Sequence, residues 1–184
     1  MASVMGWDLG GANLKLARIE AGRAECVAQI PCPIRQDVSK FDAALEEALN
    51  LCPPAAAHAV TMTGELSDVF ANRAAGVGYL VDMMRNATGG EAMFYGAKSG
   101  FLDCRRAVEQ ASDVASANWH ATAALVAQTL PDALLIDAKP LATTSTPTEA
   151  APKIRVFWIV VTAKPAVVLR RMPLSTFVIR VSNT

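Results

Sequence analysis

The chain has 184 residues, 52% apolar and only 18% charged, which suits one domain, or one and a fragment of another, with a substantial core. Its 17 Lys and Arg balance 17 Asp and Glu, so net charge gives no reason to expect nucleic acid as partner. No run approaches the roughly 20 apolar residues of a membrane-spanning helix and no basic or cleavable leader opens the chain, so the expectation is a cytoplasmic protein with no membrane partner.

The first predicted element is an apolar entry, Ser3-Val4-Met5, running into Asp8. Gly10-Gly11 follows, then a polar–apolar alternation from Asn13 to Ala17, so the pattern is strand, tight turn, strand. Glycine frees a turn of side-chain clashes and lets backbone N–H groups approach an anion. A carboxylate beside such a loop does not take phosphate directly, but it can hold Mg²⁺ or a water that bridges to one. Lys15 can add a positive point charge, and alternation puts Asn13 and Lys15 on one face. An ordinary β-hairpin with a glycine turn fits the same spacing.

A third strand is predicted over Glu25 to Pro31, ended by Pro31-Cys32-Pro33. From Ser39, Phe41, Ala44, Leu45, Ala48, Leu49 and Cys52 recur at helical spacing, with Ser39 as N-cap, Asp42 in the first turn and Pro53-Pro54 as the stop. His58 to Met62 is a short apolar strand leading into Thr63-Gly64-Glu65. Thr61, Thr63, Gly64 and Glu65 therefore fall at a strand end and a helix start, where open α/β sheets bind ligands. Glu65 suits a base or a metal ligand there. N-capping by Thr63, with Glu65 favouring the helix dipole, accounts for the same residues.

Helices are predicted over Leu66 to Ala74 and Gly78 to Asn86, and short strands at Met93 to Tyr95 and Gly100 to Leu102. An Ala-rich helix runs from Val114 to Thr129, and an apolar strand, Ala133 to Ile136, ends at Asp137. This order makes the fold α/β and excludes a bundle or a sandwich. Asparagine is unfavourable inside a helix, so Asn118 is read as facing a cleft and orienting substrate, with Trp119 able to stack on an aromatic ring. A core tryptophan and a tertiary hydrogen bond explain the pair equally. His120 has no partner in sequence and reads as a surface or packing residue. Cys26, Cys32, Cys52 and Cys104 form no C-x-x-C pair and no zinc spacing; in a reducing compartment they are packing residues or free thiols.

The tail is different. All eleven glycines lie at or before Gly100. Residues 138–184 carry seven Lys or Arg against one acid, Glu149, and half of the ten prolines. Ala142 to Pro152 is Ala/Thr/Ser/Pro-rich and reads as a linker, while Val156 to Thr162 and Phe177 to Val181 have strand character.

Three segments taken together, Gly6 to Lys15, Val60 to Leu66 and Ala115-Ser116-Ala117-Asn118-Trp119, resemble the tetrahydromethanopterin-linked C1-transfer pathway proteins, a branch of the hydantoinase A/oxoprolinase family. The resemblance covers residues 3–137, and Pro31-Cys32-Pro33-Ile34 is similar to a Cys-Pro-Leu-Trp segment of that family, with Arg35 where it has Trp. It implies one lobe of an actin/sugar-kinase/Hsp70-like (RNase H-like) fold over 1–137, with 138–184 as an atypical basic tail or remnant of the second lobe. It implies a transferase of the methanofuran pathway, joining an aminomethylfuran diphosphate to a γ-glutamyltyramine-type acceptor. The alternatives are a hydantoinase- or oxoprolinase-like hydrolase and a non-catalytic fragment.

Carried onto this chain, the resemblance makes Asp8 and Glu65 the catalytic candidates, with Asp8 also the Mg²⁺ ligand. Gly10, Gly11, Asn13, Lys15, Thr61, Thr63, Gly64, Asn118, Trp119 and Asp137 become the candidates for binding a small phosphorylated or diphosphate substrate, or ATP. The family's second phosphate loop, Asp-x-Gly-Ser-Thr-Thr-Thr-Asp, should start at Asp137. Here Ala138-Lys139-Pro140 follows; the glycine is absent, and proline removes a donor where a phosphate cradle needs donors. Similarity resumes at Arg171-Met172-Pro173-Leu174, so the expectation is a truncated or frameshifted member that exposes apolar surface and self-associates as a homo-oligomer.

Overall fold

The alternation of Val4–Leu9 sets the architecture. In a computed structural model, described for residues 2–129, 133–140, 154–161 and 168–170, the chain divides into two compact units between Thr122 and Ala123. In the first, β1 (Val4–Leu9) pairs antiparallel with β2 (Asn13–Glu20), and β2 with β3 (Arg23–Pro31). On its other side β1 runs parallel to β4 (Ala57–Met62), and β4 to β5 (Ala92–Gly96). The antiparallel β6 (Gly100–Leu102) completes a six-stranded sheet of order β3-β2-β1-β4-β5-β6. The fold class is mixed α/β, as the element order predicts.

Side chains alternate across a strand, and the two faces of this sheet differ. Met5, Trp7 and Leu9 of β1, Leu14 and Leu16 of β2, Val60 and Met62 of β4 and Phe94 of β5 all belong to the buried core. The core is completed by α1 (Ser39–Leu51), through Phe41, Ala44, Leu45 and Ala48, and by α2 (Arg73–Ala87), through Val77, Leu80, Val81 and Met84. The other face carries Asp8, Lys15, Thr61 and Tyr95, all wholly or partly accessible, and the exposed Val27, Met93 and Phe101.

Four local expectations change. Helix α1 does start at Ser39, but Ser39 is not its N-cap: Val38 holds that position with no side-chain cap bond, and the Asp37 carboxylate before it accepts from the Ser39 amide at 2.9 Å. The helix read over Leu66 to Ala74 is a single 3₁₀ turn, Gly64–Leu66, after which the chain becomes helical only at Arg73. Asn72, a strong N-cap type, starts α2 by accepting from the Ala75 amide at 2.9 Å. The helix then passes through Gly76, where a Cβ would lie 2.8 Å from Glu65 Cα, so this glycine permits a close approach and does not end the helix. The helix read over Val114 to Thr129 is broken: α4 (Ala111–Val114) stops, Ser116 takes φ +54°, and α5 (Asn118–Thr129) begins afresh. A further helix, α3 (Cys104–Glu109), is capped by Asp103 through the Arg106 amide at 2.8 Å.

The cysteine expectation is also corrected, since Cys26 and Cys52 form a disulfide while Cys32 and Cys104 stay free and buried. Packing of α1 beside β3 brings the two Cα atoms to 5.8 Å, within bridging range, although 26 residues separate them in sequence.

The second unit contains an antiparallel sheet, β7 (Ala133–Pro140), β8 (Ile154–Val161) and β9 (Val168–Arg170), in that order. The expected boundary after Asp137 falls inside β7. The linker over 142–152, the strand over 177–181 and the similarity at 171–174 lie outside the described residues. No helix among the described residues is long and apolar enough to cross a membrane.

Candidate functional site

Register places Asp8 directly between Lys15 on β2 and Thr61 on β4. Residues paired in register share a face, so the three side chains meet. Lys15 Nζ donates to Asp8 Oδ2 at 3.0 Å, and Thr61 Oγ1 lies 3.5 Å from Asp8 Oδ1 while donating to the Trp7 carbonyl at 3.2 Å. The Asp8 side chain keeps 27% of its surface exposed, so a ligand can reach it.

The bend beyond β1 is built on glycine. The Gly10 amide donates to the carbonyls of Asp8 and Asn13, each at 3.1 Å, closing the turn so tightly that a Cβ on Gly10 would lie 2.6 Å from the Asn13 carbonyl oxygen. The outer carbonyls are held from the other side: Ile34 N donates to Gly11 O at 3.2 Å and Cys32 N to Ala12 O at 2.8 Å. Among the described residues the Gly11 and Ala12 amides have no acceptor. Gly64 packs against this bend, with the Leu9 carbonyl 3.1 Å and Ile34 Cδ1 3.1 Å from where its Cβ would be, and Thr63 N donates to Leu9 O at 3.0 Å. The structure thus gathers Asp8, Gly10, Gly11, Asn13, Lys15, Thr61, Thr63 and Gly64 at the ends of β1 and β4.

Glu65 is engaged elsewhere. Its side chain is fully buried, its backbone lies against Gly76 of α2, and Oε1 accepts from Ser116 Oγ at 2.6 Å. Arg73 Nη2 donates to the same hydroxyl at 2.7 Å and stands 3.6 Å from Glu65 Oε1. Glu65 Oε2 is buried without a partner among the described residues. The second and third sequence segments therefore meet through Glu65 and Ser116. The 2.6 Å bond is short, as bonds to carboxylates are. In the sequence Ser116 stood out only as part of the third segment and Arg73 not at all, because their contact joins positions 43 residues apart and the φ +54° of Ser116 has no signature in a serine.

Asn118 is the first residue of α5, not a mid-helix one, and its side chain accepts from the Trp119 amide at 2.8 Å, one of the first-turn N–H groups that have no intrahelical partner. Trp119 is half-buried and meets His120 edge to face, centroids 5.5 Å apart. His120 does have a partner, Tyr95, whose hydroxyl lies 3.0 Å from Nδ1. Burial, and then the charge of Asp113, raise the Tyr95 pKa, which keeps its phenol protonated. Asp137 belongs to the second unit, where β7 pairs it with Phe157 of β8.

Cys32, close behind the bend, is fully buried, and burial pushes its thiol up to about 11, which disfavours the thiolate. Among the described residues no group of three or more His, Cys, Asp or Glu side chains is placed to hold a metal. Asp8 and the Thr61 hydroxyl fit a narrower role: Mg²⁺ is commonly held by one or two carboxylates together with substrate phosphates.

No family model matches the chain. It is 28% identical over 133 residues to a (4-{4-[2-(gamma-L-glutamylamino)ethyl]phenoxymethyl}furan-2-yl)methanamine synthase of Methanocaldococcus jannaschii, a match covering 72% of this chain and 39% of that protein. The chain thus spans well under half the length of this relative. A solved exopolyphosphatase-like protein aligns with 53% of this chain and 37% of its own, at 21% identity and a TM-score of 0.28.

Proposed function

We propose that this chain carries the phosphate-holding lobe of a methanofuran-pathway transferase, one that joins an aminomethylfuran diphosphate to a phenolic, γ-glutamyltyramine-type acceptor. The observation that supports the reading is the bend at Gly10–Gly11, beside which an accessible carboxylate pairs with a lysine and at which, among the described residues, the Gly11 and Ala12 amides have no acceptor. The similarity to the archaeal synthase supports it.

In such a reaction the acceptor's phenolic oxygen bonds to the furan methylene carbon. The bond from that carbon to diphosphate breaks, the electron pair leaves with the diphosphate, and the phenolic proton passes to solvent. Negative charge therefore gathers on the leaving group, where preorganised donors matter most. The Gly11 and Ala12 amides are the donors, and Lys15 adds a positive charge that Asp8 holds in place. Asp8 and Thr61 are the residues to hold Mg²⁺, which when bound contributes further positive charge at the phosphates. Asn118 and Trp119 belong to the acceptor side.

A second reading, a lobe that binds but does not catalyse, is favoured by one observation. β7 continues as paired strand through Pro140, where the resemblance puts a phosphate loop after Asp137. Product analysis with γ-glutamyltyramine and the furan diphosphate, run beside an ATP hydrolysis assay, separates the readings. Ether product supports the transferase, ATP turnover with a cyclic amide supports a hydantoinase- or oxoprolinase-like hydrolase, and binding of Mg²⁺-pyrophosphate without turnover supports the binding lobe.

A further inference from the structure

We infer that Tyr95, Phe101, Trp119 and His120 form a binding site for a hydroxylated aromatic ring, on the same sheet face as Asp8 and Lys15. Val60 pairs with Phe94 and both are core residues, so alternation turns Thr61 and Tyr95 together to the opposite face. Phe101 pairs with Tyr95 across β5 and β6 and shares that face. The row therefore runs Lys15, Asp8, Thr61, Tyr95, Phe101, from charge to aromatic surface. The start of α5 adds two more rings.

The four rings are arranged at angles, not stacked flat. Tyr95 and Phe101 have centroids 5.4 Å apart at 71°, Tyr95 and His120 5.9 Å at 32°, and Trp119 and His120 5.5 Å at 78°. These are favourable aromatic separations. The cluster is not closed over: Phe101 is 53% exposed, and Tyr95, Trp119 and His120 are each only half-buried. The polar part is equally specific. Tyr95 Oη and His120 Nδ1 are 3.0 Å apart, and among the described residues His120 Nε2 has no partner. A ring hydroxyl seated beside the Tyr95–His120 pair meets one phenolic and one imidazole group, each able to donate or accept. A hydroxyl-free ring leaves that pair unanswered. Ring binding itself stands on this geometry; its assignment to the phenolic acceptor rests on the transferase reading above.

The experiment is a titration of the full chain with tyramine and with phenethylamine, which lacks the hydroxyl, followed by the ring-proton NMR signals of the two histidines. The expected result is saturable tyramine binding that moves the His120 signals and leaves those of His58 in place, with phenethylamine bound about threefold or more weakly. Phe101→Ala, at a largely exposed position, weakens both ligands while its melting curve stays close to that of the parent. Tyr95→Phe, which keeps the ring, removes the preference for tyramine without changing phenethylamine binding. No saturable tyramine binding, movement of His58 in place of His120, unchanged affinity in Phe101→Ala, or equal weakening of both ligands in Tyr95→Phe would each overturn the inference. Mg²⁺-pyrophosphate titrated into the same samples keeps the two claims apart, because loss of anion binding with retained ring binding counts against the transferase reading and not against the ring site.

Discussion

At Gly10 a methyl group would sit 2.6 Å from the Asn13 carbonyl oxygen, whereas at Gly11 the nearest atom is Gly64 Cα at 3.9 Å. Gly10→Ala must therefore open the turn, and about 1–3 kcal/mol of stability should be lost, with pyrophosphate affinity falling alongside. Gly11→Ala should stay within about 1 kcal/mol of the parent. Thermal melts of the two variants check this; equal losses would contradict the tight turn. His58 offers a residue-level test of pH. Its Nδ1 accepts from Trp7 Nε1 at 3.1 Å, which needs the neutral ring. Burial lowers its pKa, with the charge of Glu91 acting weakly the other way. The unfolded chain then binds the proton more readily than the folded one. The contribution is complete above the ordinary histidine value of about 6.5, and it is lost as pH falls through the lowered folded value. The melting temperature should drop on acidification below about pH 6.5, and His58→Gln should flatten that dependence. A parent profile with the same slope as the variant would remove His58 from the account.

The first strands were the most legible elements, and for a physical reason: β1, β2 and β5 each bury one face, so the pattern of Met5, Trp7 and Leu9 against Gly6 and Asp8 reads directly from the chain. The candidate site at the bend was legible for the same reason, since parity alone puts Asn13 and Lys15 on one face. What sequence could not give was the behaviour of the chain where tertiary contacts override local preference. The Ala-rich stretch from Val114 looks continuously helical, yet Ser116 breaks it because its hydroxyl is claimed by Glu65 and Arg73. The gap between the helices predicted to Ala74 and from Gly78 is helical in α2, and Gly76 within it is the place where that helix meets Glu65. The Glu65–Ser116 bond carries its own prediction. Ser116→Ala removes a side-chain donor at 2.6 Å from a buried carboxyl group, and about 1.5–3 kcal/mol of stability should go with it. Chemical denaturation measures this, and a midpoint equal to the parent's would show that the break before α5 is held by something else.

At the scale of the whole molecule the distribution of composition was more legible than its consequence. The change after Gly100, where glycine disappears, and the basic character of 138–184 mark out the second half, and the strand character over Val156 to Thr162 corresponds to β8 (Ile154–Val161). The bridge between Cys26 and Cys52 was not legible, because only packing of α1 beside β3 brings the two positions together. Alkylation of the unfolded chain should add two groups without reductant and four after reduction; four in both cases would contradict the bridge. Reduction should also cost on the order of 3 kcal/mol for a loop of this size. The central claim, that the bend beside Asp8 is an anion cradle, has a direct test in calorimetric titration of the full chain with pyrophosphate, with and without Mg²⁺. The account predicts Mg²⁺-dependent binding, little binding of Mg²⁺ alone, and loss of the Mg²⁺-dependent part in Asp8→Asn with the melting temperature almost unchanged, because an exposed ion pair such as Lys15–Asp8 contributes at most about 1 kcal/mol. Absence of pyrophosphate binding by the parent, or equal binding by Asp8→Asn, would contradict it.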